Sequence, residues 1–240
     1  MPPAVLPRLT AAFGLHGSAS TWVFNVAREL LTARLGAKSI AIGYGETARS
    51  LFQPGDLEGR HILMKCHRIA PDLSLVLWLA RAPVLISIRD PRDAALSMMQ
   101  RFGRSFEEAV AQMEKDVRHV LRQAAAGHPV FRYEDGFTGK PETVAEIGRH
   151  LGIAAAAKEC RDLVARYDAA AVRAFGDRVP DLPEARLIRI GEDLFDRVTH
   201  IHPNHVGDGR IGKWRELLDG AQQATAERRF RPFLERFGYR

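Results

Sequence analysis

The run Pro83–Ile88 (PVLISI) constrains the fold more than any other segment. A short, nearly all-apolar stretch bounded by turn residues suits a strand covered on both faces, as in a parallel sheet between two helical layers. Its surroundings repeat the theme. Strand patterns fall at Arg8–Gly14, Ser39–Tyr44, His61–Lys65 and Pro129–Tyr133. Helical patterns fall between them at Thr21–Leu35, Pro71–Arg81, Pro91–Phe102 and Ser105–Ala126. In the first of these helices Val23, Val26, Ala27, Leu30 and Leu31 share one face, and Gly36 ends it. Three more helices follow at Lys140–Leu151, Ala155–Phe175 and Gly220–Phe237. Strands alternating with helices predict an α/β fold: a doubly wound parallel sheet, helices on both faces, and a mostly helical C-terminal part. Residues 1–240 are expected to form one such domain, and no fixed-period repeat interrupts it. Right-handed crossovers would align the strands' C-terminal ends along one edge, where ligands bind in such sheets.

Composition excludes some alternatives. Of 240 residues, 46% are hydrophobic and 27% charged, which excludes whole-chain disorder. No apolar run approaches the ~20 residues of a membrane span. Met1–Arg8 has no basic start followed by an apolar stretch, so no secretory signal is expected. Cys66 and Cys160 alone make no disulfide framework, and a cytoplasmic location is the expectation. The net charge is +6, and only six of the 35 basic residues are Lys. Arginine forks suit phosphate and sulfate oxygens, although genomic base bias accounts for an Arg- and Ala-rich chain equally well. No recognition helix or aromatic RNA motif points to nucleic acid.

Four segments could carry chemistry. After the first strand, Gly14–Trp22 forms a turn of small residues leading into a helix. Free N–H groups and the helix dipole would make it a phosphate cradle, with hydroxyls from Ser18, Ser20 and Thr21. It follows a Walker A loop in outline, but Ala19 and Ser20 stand where that loop has Gly and Lys. An ordinary Ser/Thr helix cap explains the same residues. The second segment is Lys65-Cys66-His67-Arg68, at a strand end. Lys65 and His67, two apart in an extended chain, face one side. An imidazole there can take a proton, and an ammonium can steady a developing anion. A basic surface cluster is the alternative.

The third segment is Arg89-Asp90-Pro91-Arg92-Asp93, leading to Ser97. Asp90 suits an N-cap, Pro91 the first helical position and Asp93 a capping box. Capping leaves Arg89 unexplained, and with Ser97 it could grip a phosphate at the sheet edge. The fourth is His205–Trp214, whose glycines, cations and indole suit a loop closing on an anion and a flat ring. Upstream, His200, His202 and His205 are spaced H-x-H-x-x-H, but no Cys or carboxylate beside them completes a metal set.

In this order the segments resemble the sulfotransferases that use 3′-phosphoadenosine 5′-phosphosulfate. The family's P-[KR]-S-G-[ST]-T-W corresponds to His16-Gly17-Ser18-Ala19-Ser20-Thr21-Trp22, followed by Asn25. Its K-T-H corresponds to Lys65-Cys66-His67. Its R-[DN]-P-[KR]-D-x-x-x-S is matched by Arg89–Asp93 and Ser97. Its strand ending Y-E-D is matched by Tyr133-Glu134-Asp135, and its late G-x-x-G-x-W by Gly209, Gly212 and Trp214. The likeness runs from about residue 9 to 218.

The resemblance implies a P-loop-like fold and transfer of a sulfuryl group to a hydroxyl or amine, without a metal. It implies that Ser18, Ser20, Thr21 and the loop amides hold the 5′-phosphate. Arg89 and Ser97 would bind the 3′-phosphate, Trp22 and Tyr133 the adenosine, and Gly209 and Arg210 would close over it. His67 would take the acceptor's proton, with Lys65 steadying the sulfuryl charge. The acceptor would be a small molecule, carbohydrate or peptide. Its pocket would lie among Gly45–Gly59, the helices after Pro71 and Leu182–Pro203, none of which names it; oligomeric state is equally unreadable.

Two departures stand out. Gly17 replaces the family's Lys or Arg, leaving His16 or Lys65 to supply a cation, and Ala19 replaces the loop glycine. Asp208 would also repel a phosphate if it pointed inward, unless Arg210 compensated. A nucleotide-binding protein without turnover and a P-loop kinase are therefore the competing readings.

Overall fold

The computed structural model of the chain describes residues 8–52, 60–190 and 193–240. Its centre is a five-stranded sheet in the order β2-β3-β1-β4-β5. The strands are β1 (Leu9–Gly14), β2 (Ile40–Tyr44), β3 (His61–Cys66), β4 (Val84–Ile88) and β5 (Val130–Arg132), and every pairing is parallel. Ala12 registers with Lys65 and Gly14 with Ser87. β1, β3 and β4 therefore release their chains at nearly the same level, and the residues just beyond them meet.

Alternate residues of β1 face opposite layers, as a pleated strand requires. Ala11 and Phe13 pack with α2 (Pro71–Leu79), α3 (Pro91–Phe102), α4 (Phe106–Ala125) and α9 (Gly220–Phe237). Ala12, with Leu63 and Leu85, packs with α1 (Ser20–Leu35), α5 (Pro141–Leu151) and α6 (Ala157–Arg166). All five strand residues are fully or almost fully buried, so the sheet is covered on both sides. Cys66 lies in the first cluster and Cys160 in the second; both are free thiols.

The expected doubly wound parallel sheet is present, with three local differences. Ala155–Phe175, read as one helix, is two: α6 and α7 (Ala169–Asp177). Asp168 turns extended between them, and its side chain accepts from Ala171 N–H, starting a new helix. Asp93 makes no capping box; its carboxylate goes to a distant loop described below. A hairpin of β6 (Leu187–Ile190) and β7 (Asp193–Asp196) and the short α8 (Trp214–Leu217) lie where no periodicity marked them. The part of Gly45–Gly59 beyond Phe52, and the first seven residues, lie outside the described residues. Among the described residues no helix is long and apolar enough to cross a membrane.

Candidate active site at the strand ends

A cavity of about 830 Å³ opens at the C-terminal edge of the sheet. Its wall includes side chains from all four segments singled out in the sequence. At one end is the turn after β1. Gly17 has φ 74° and Ala19, the N-cap of α1, has φ 61°. Both lie in the left-handed region, where a Cβ is strained. No side chain caps α1, so its first amides are unclaimed by the fold and open towards the cavity lined by Ala19, Ser20 and Thr21. A Lys or Arg at position 17 would be strained in this backbone, so the loop differs from the family pattern in conformation as well as in charge.

Ser18 does not join the cavity. It is completely buried, its hydroxyl donates to Leu15 O at 2.7 Å, and it lies 2.8 Å from Ser87 Oγ. The close packing of β1 on β4 explains this inward turn: a Cβ on Gly14 would fall 2.2 Å from Ser87 Oγ. The expectation of a phosphate contact from the Ser18 side chain is therefore corrected. Asn25 is on the wall, its amide donating to Thr21 O and Thr199 O.

Arg89 leaves β4 into the same cavity, nearly buried. It donates to Gly17 O at 3.3 Å and to Arg210 O at 2.6 Å, so it ties the opening turn to the late loop. Its guanidinium lies 4.7 Å from the centre of the Tyr133 ring, and its Nε has no partner. Ser97 is on the same wall, its Oγ 3.7 Å from where a Cβ on Gly17 would stand. Trp22 presents an unpartnered Nε1 and packs edge-on against Phe137 at 5.5 Å. Tyr133 donates to Gly209 O, and it sits in a short 3₁₀ turn rather than at the end of β5.

The late loop is held by backbone contacts. Asp93, completely buried, accepts from Gly212 N–H at 2.6 Å and from Trp214 N–H at 3.0 Å. Arg92 stacks 3.8 Å over the Trp214 ring and is bonded to Asp90. The Arg210 side chain, expected over the nucleotide, instead pairs at the surface with Glu216 at 2.9 Å. Asp208 is neutralised by Lys213 at 3.2 Å rather than by the Arg210 guanidinium. Lys213 itself, one of the cations noted in His205–Trp214, lines the cavity.

At the ends of β1 and β3, Lys65, His67 and His16 form a compact group. His67 Nδ1–H donates to Gly14 O at 2.8 Å, which fixes its tautomer and leaves Nε2 to accept from Lys65 Nζ at 3.2 Å. Burial, with His16 and Lys65 beside it, holds the His67 pKa well below the ordinary value, so the imidazole is neutral. Burial also lowers Lys65 to about 8, with Arg101 adding to the shift. The His16 ring stacks on His67 at 3.9 Å and donates through Nδ1 to Asp116 Oδ2 at 2.6 Å. Asp116 is completely buried on α4, a hundred residues downstream, and no local pattern reveals it.

The far end of the wall carries Tyr44, His200, His202 and His205. The three histidines belong to no metal-holding group among the described residues. His202 Nδ1–H donates to Pro203 O, and its Nε2 accepts from Arg101.

No family model and no curated protein matches the chain. Solved structures do. Retinol dehydratase in complex with retinol and PAP superposes with a TM-score of 0.64 at 15% identity, covering 97% of this chain and 82% of that one. Retinol dehydratase in complex with androsterone and the inactive cofactor PAP gives 0.62 at 14%, with the same coverage. Mouse sulfotransferase SULT7A1 complexed with PAP gives 0.62 at 13%, covering 95% of this chain and 85% of that one. At such identities the shared property is the arrangement of the chain in space: this protein has the fold of these PAP-bound structures, mouse sulfotransferase SULT7A1 among them.

Proposed function

We propose that the chain transfers a sulfuryl group from 3′-phosphoadenosine 5′-phosphosulfate to a hydroxyl or amine. The observation that carries this is Arg89, a buried guanidinium held between the opening turn and the late loop in one cavity wall. The residues suit the donor. Uncapped amides of α1 with Ser20 and Thr21 suit its 5′ side. Arg89 with Ser97 suits the 3′-phosphate, and the Trp22 and Tyr133 rings suit the adenosine. Gly209 forms the edge of the loop over it.

In the reaction, the acceptor oxygen or nitrogen forms a bond to sulfur as the bond from sulfur to the 5′-phosphate oxygen breaks. The products are the sulfated acceptor and adenosine 3′,5′-bisphosphate (PAP). The acceptor's proton passes to His67 Nε2, which Lys65 vacates when it turns to the sulfuryl oxygens. The Nδ1–H bond to Gly14 holds the ring in place meanwhile. His16, fixed by its Nδ1–H bond to Asp116, lines the cavity beside a loop whose position 17 has no side chain. Positioning and fixed charges supply the acceleration.

PAP binding and labelled-sulfate transfer to a panel of alcohols, phenols and amines test the proposal. Wild type should do both. His67→Ala should lower transfer by about 10²- to 10⁴-fold while PAP still binds. Arg89→Ala should weaken PAP by about 1.5–3 kcal/mol. Equal transfer by His67→Ala removes it as the base, and unchanged PAP affinity in Arg89→Ala removes the nucleotide site. Gly17 favours a second reading, binding without turnover, which tight PAP binding with no transfer to any acceptor would support. Stabilisation by ATP and Mg²⁺ but not by PAP would instead favour a kinase.

A further inference from the structure

The wall between His67 and the mouth of the cavity is built from neutral hydrogen-bonding groups and ends on a cation. Tyr44 comes first, its ring 6.5 Å from His67 and 5.7 Å from His200. Burial raises its phenol to about 12, so it remains an O–H donor. His200 follows, 95% buried by its 5% exposure, with neither ring nitrogen partnered. Its backbone is held at φ 54°, a left-handed conformation costly for a residue with a Cβ. His205 adds an unpartnered Nδ1 and packs against His202 at 4.3 Å. Burial, reinforced by nearby cations, lowers all three imidazoles, His200 to about 3 and His202 to about 4. At neutral pH the His200 ring therefore has one donor and one acceptor to offer without charge, and His205 has its Nδ1, whereas both His202 nitrogens are already engaged.

Arg101 stands at the outer end, oriented by His202. Asp193 is the carboxylate whose field reaches it, and the two form no ion pair among the described residues. The His200 nitrogens and His205 Nδ1 are already shut from solvent without partners, and a fused-ring or polyene acceptor laid along this wall could supply none. A body with several hydroxyls would pair with them, since a hydroxyl both donates and accepts.

Resting on the sulfuryl-transfer reading, we infer that the acceptor is a hydroxyl-rich, sugar-like molecule carrying an anionic group, its body along Tyr44, His200 and His205 and its acid on Arg101. The hydroxyl nearest His67 takes the sulfuryl group from the donor, and its proton goes to His67 Nε2.

The test measures kcat/KM for labelled-sulfate transfer to methyl β-D-glucuronide, methyl β-D-glucoside and 2-naphthol. The glucuronide should exceed each of the others by about tenfold or more, the scale of one charge-assisted contact. Arg101→Gln, a change at the exposed mouth, should bring the two sugars within about threefold of each other. His205→Leu should lower both sugars by about tenfold relative to 2-naphthol. The inference is overturned if 2-naphthol is the best acceptor, if the two sugars are equal in wild type, or if Arg101→Gln leaves their ratio unchanged. If no acceptor is labelled, thermal stabilisation of the PAP-loaded protein by the glucuronide decides: stabilisation lost in Arg101→Gln upholds the acceptor class, and its absence sinks it. Failure to bind PAP at all sinks the transferase reading itself.

Discussion

The two ends of the cavity are built on different principles. Around Arg89 and the late loop most side-chain polar groups are bound to the main chain, with Arg89 Nε, Trp22 Nε1 and the first amides of α1 left over. Arg89 joins two carbonyls, Asp93 joins two amides, and Ser18 clamps β1 to β4. At the other end His200 has no hydrogen-bond partner, and His205 leaves Nδ1 without one. The first arrangement is rigid and generic, set by a few short motifs. The second leaves its capacity open, and on the proposed reading acceptors would be told apart there.

The largest expected way to break this contrast is at Asp93. Asp93→Ala removes two charge-assisted bonds and leaves the Gly212 and Trp214 amides without them. Urea unfolding should report a loss of about 3 kcal/mol. A loss under about 1 kcal/mol would mean that the late loop is not fastened there.

Lys65 sharpens the contrast by pH. Because its pKa is lowered to about 8, it keeps its proton below that value and loses it above. In the free enzyme kcat/KM should therefore fall as pH rises through about 8, and Lys65→Arg should carry activity to higher pH. The folded value lies below the unfolded one, so the unfolded chain binds more protons between pH 8 and 10.5 and stability attributable to Lys65 rises with pH across that window. A flat alkaline limb would remove Lys65 from the reaction.

The smallest effect belongs to Ala19. Ala19→Gly relieves a left-handed alanine and should add about 1 kcal/mol in thermal or urea unfolding. A loss of stability would show that the turn tolerates the Cβ without strain.

The sheet was legible because PVLISI and its neighbours are both apolar and short, and because three of the four motifs follow a strand. The nucleotide end was legible for the same reason: its groups come from runs such as Arg89–Asp93. What stayed hidden depends on contacts between distant residues. Asp116 looks like an ordinary acidic residue of an amphipathic helix until α4 delivers it to His16. The break at Asp168 was hidden because apolar spacing continues across it, and Ser18 was misread because its inward turn depends on Ser87, in another strand. The H-x-H-x-x-H spacing lacked a complete metal set in the sequence, and the fold places these rings on the cavity wall.

The fastening of the late loop has an evolutionary corollary. Asp93 and Arg89 grip the main chain at positions 210, 212 and 214, and none of the side chains there takes part in those bonds. Mutation at its exposed positions, such as Arg210 and Ile211, can therefore rewrite the covering segment without detaching it, provided that the glycine turns and the buried Trp214 survive. A lineage could exchange the chemistry of this flap while its fastenings stayed the same.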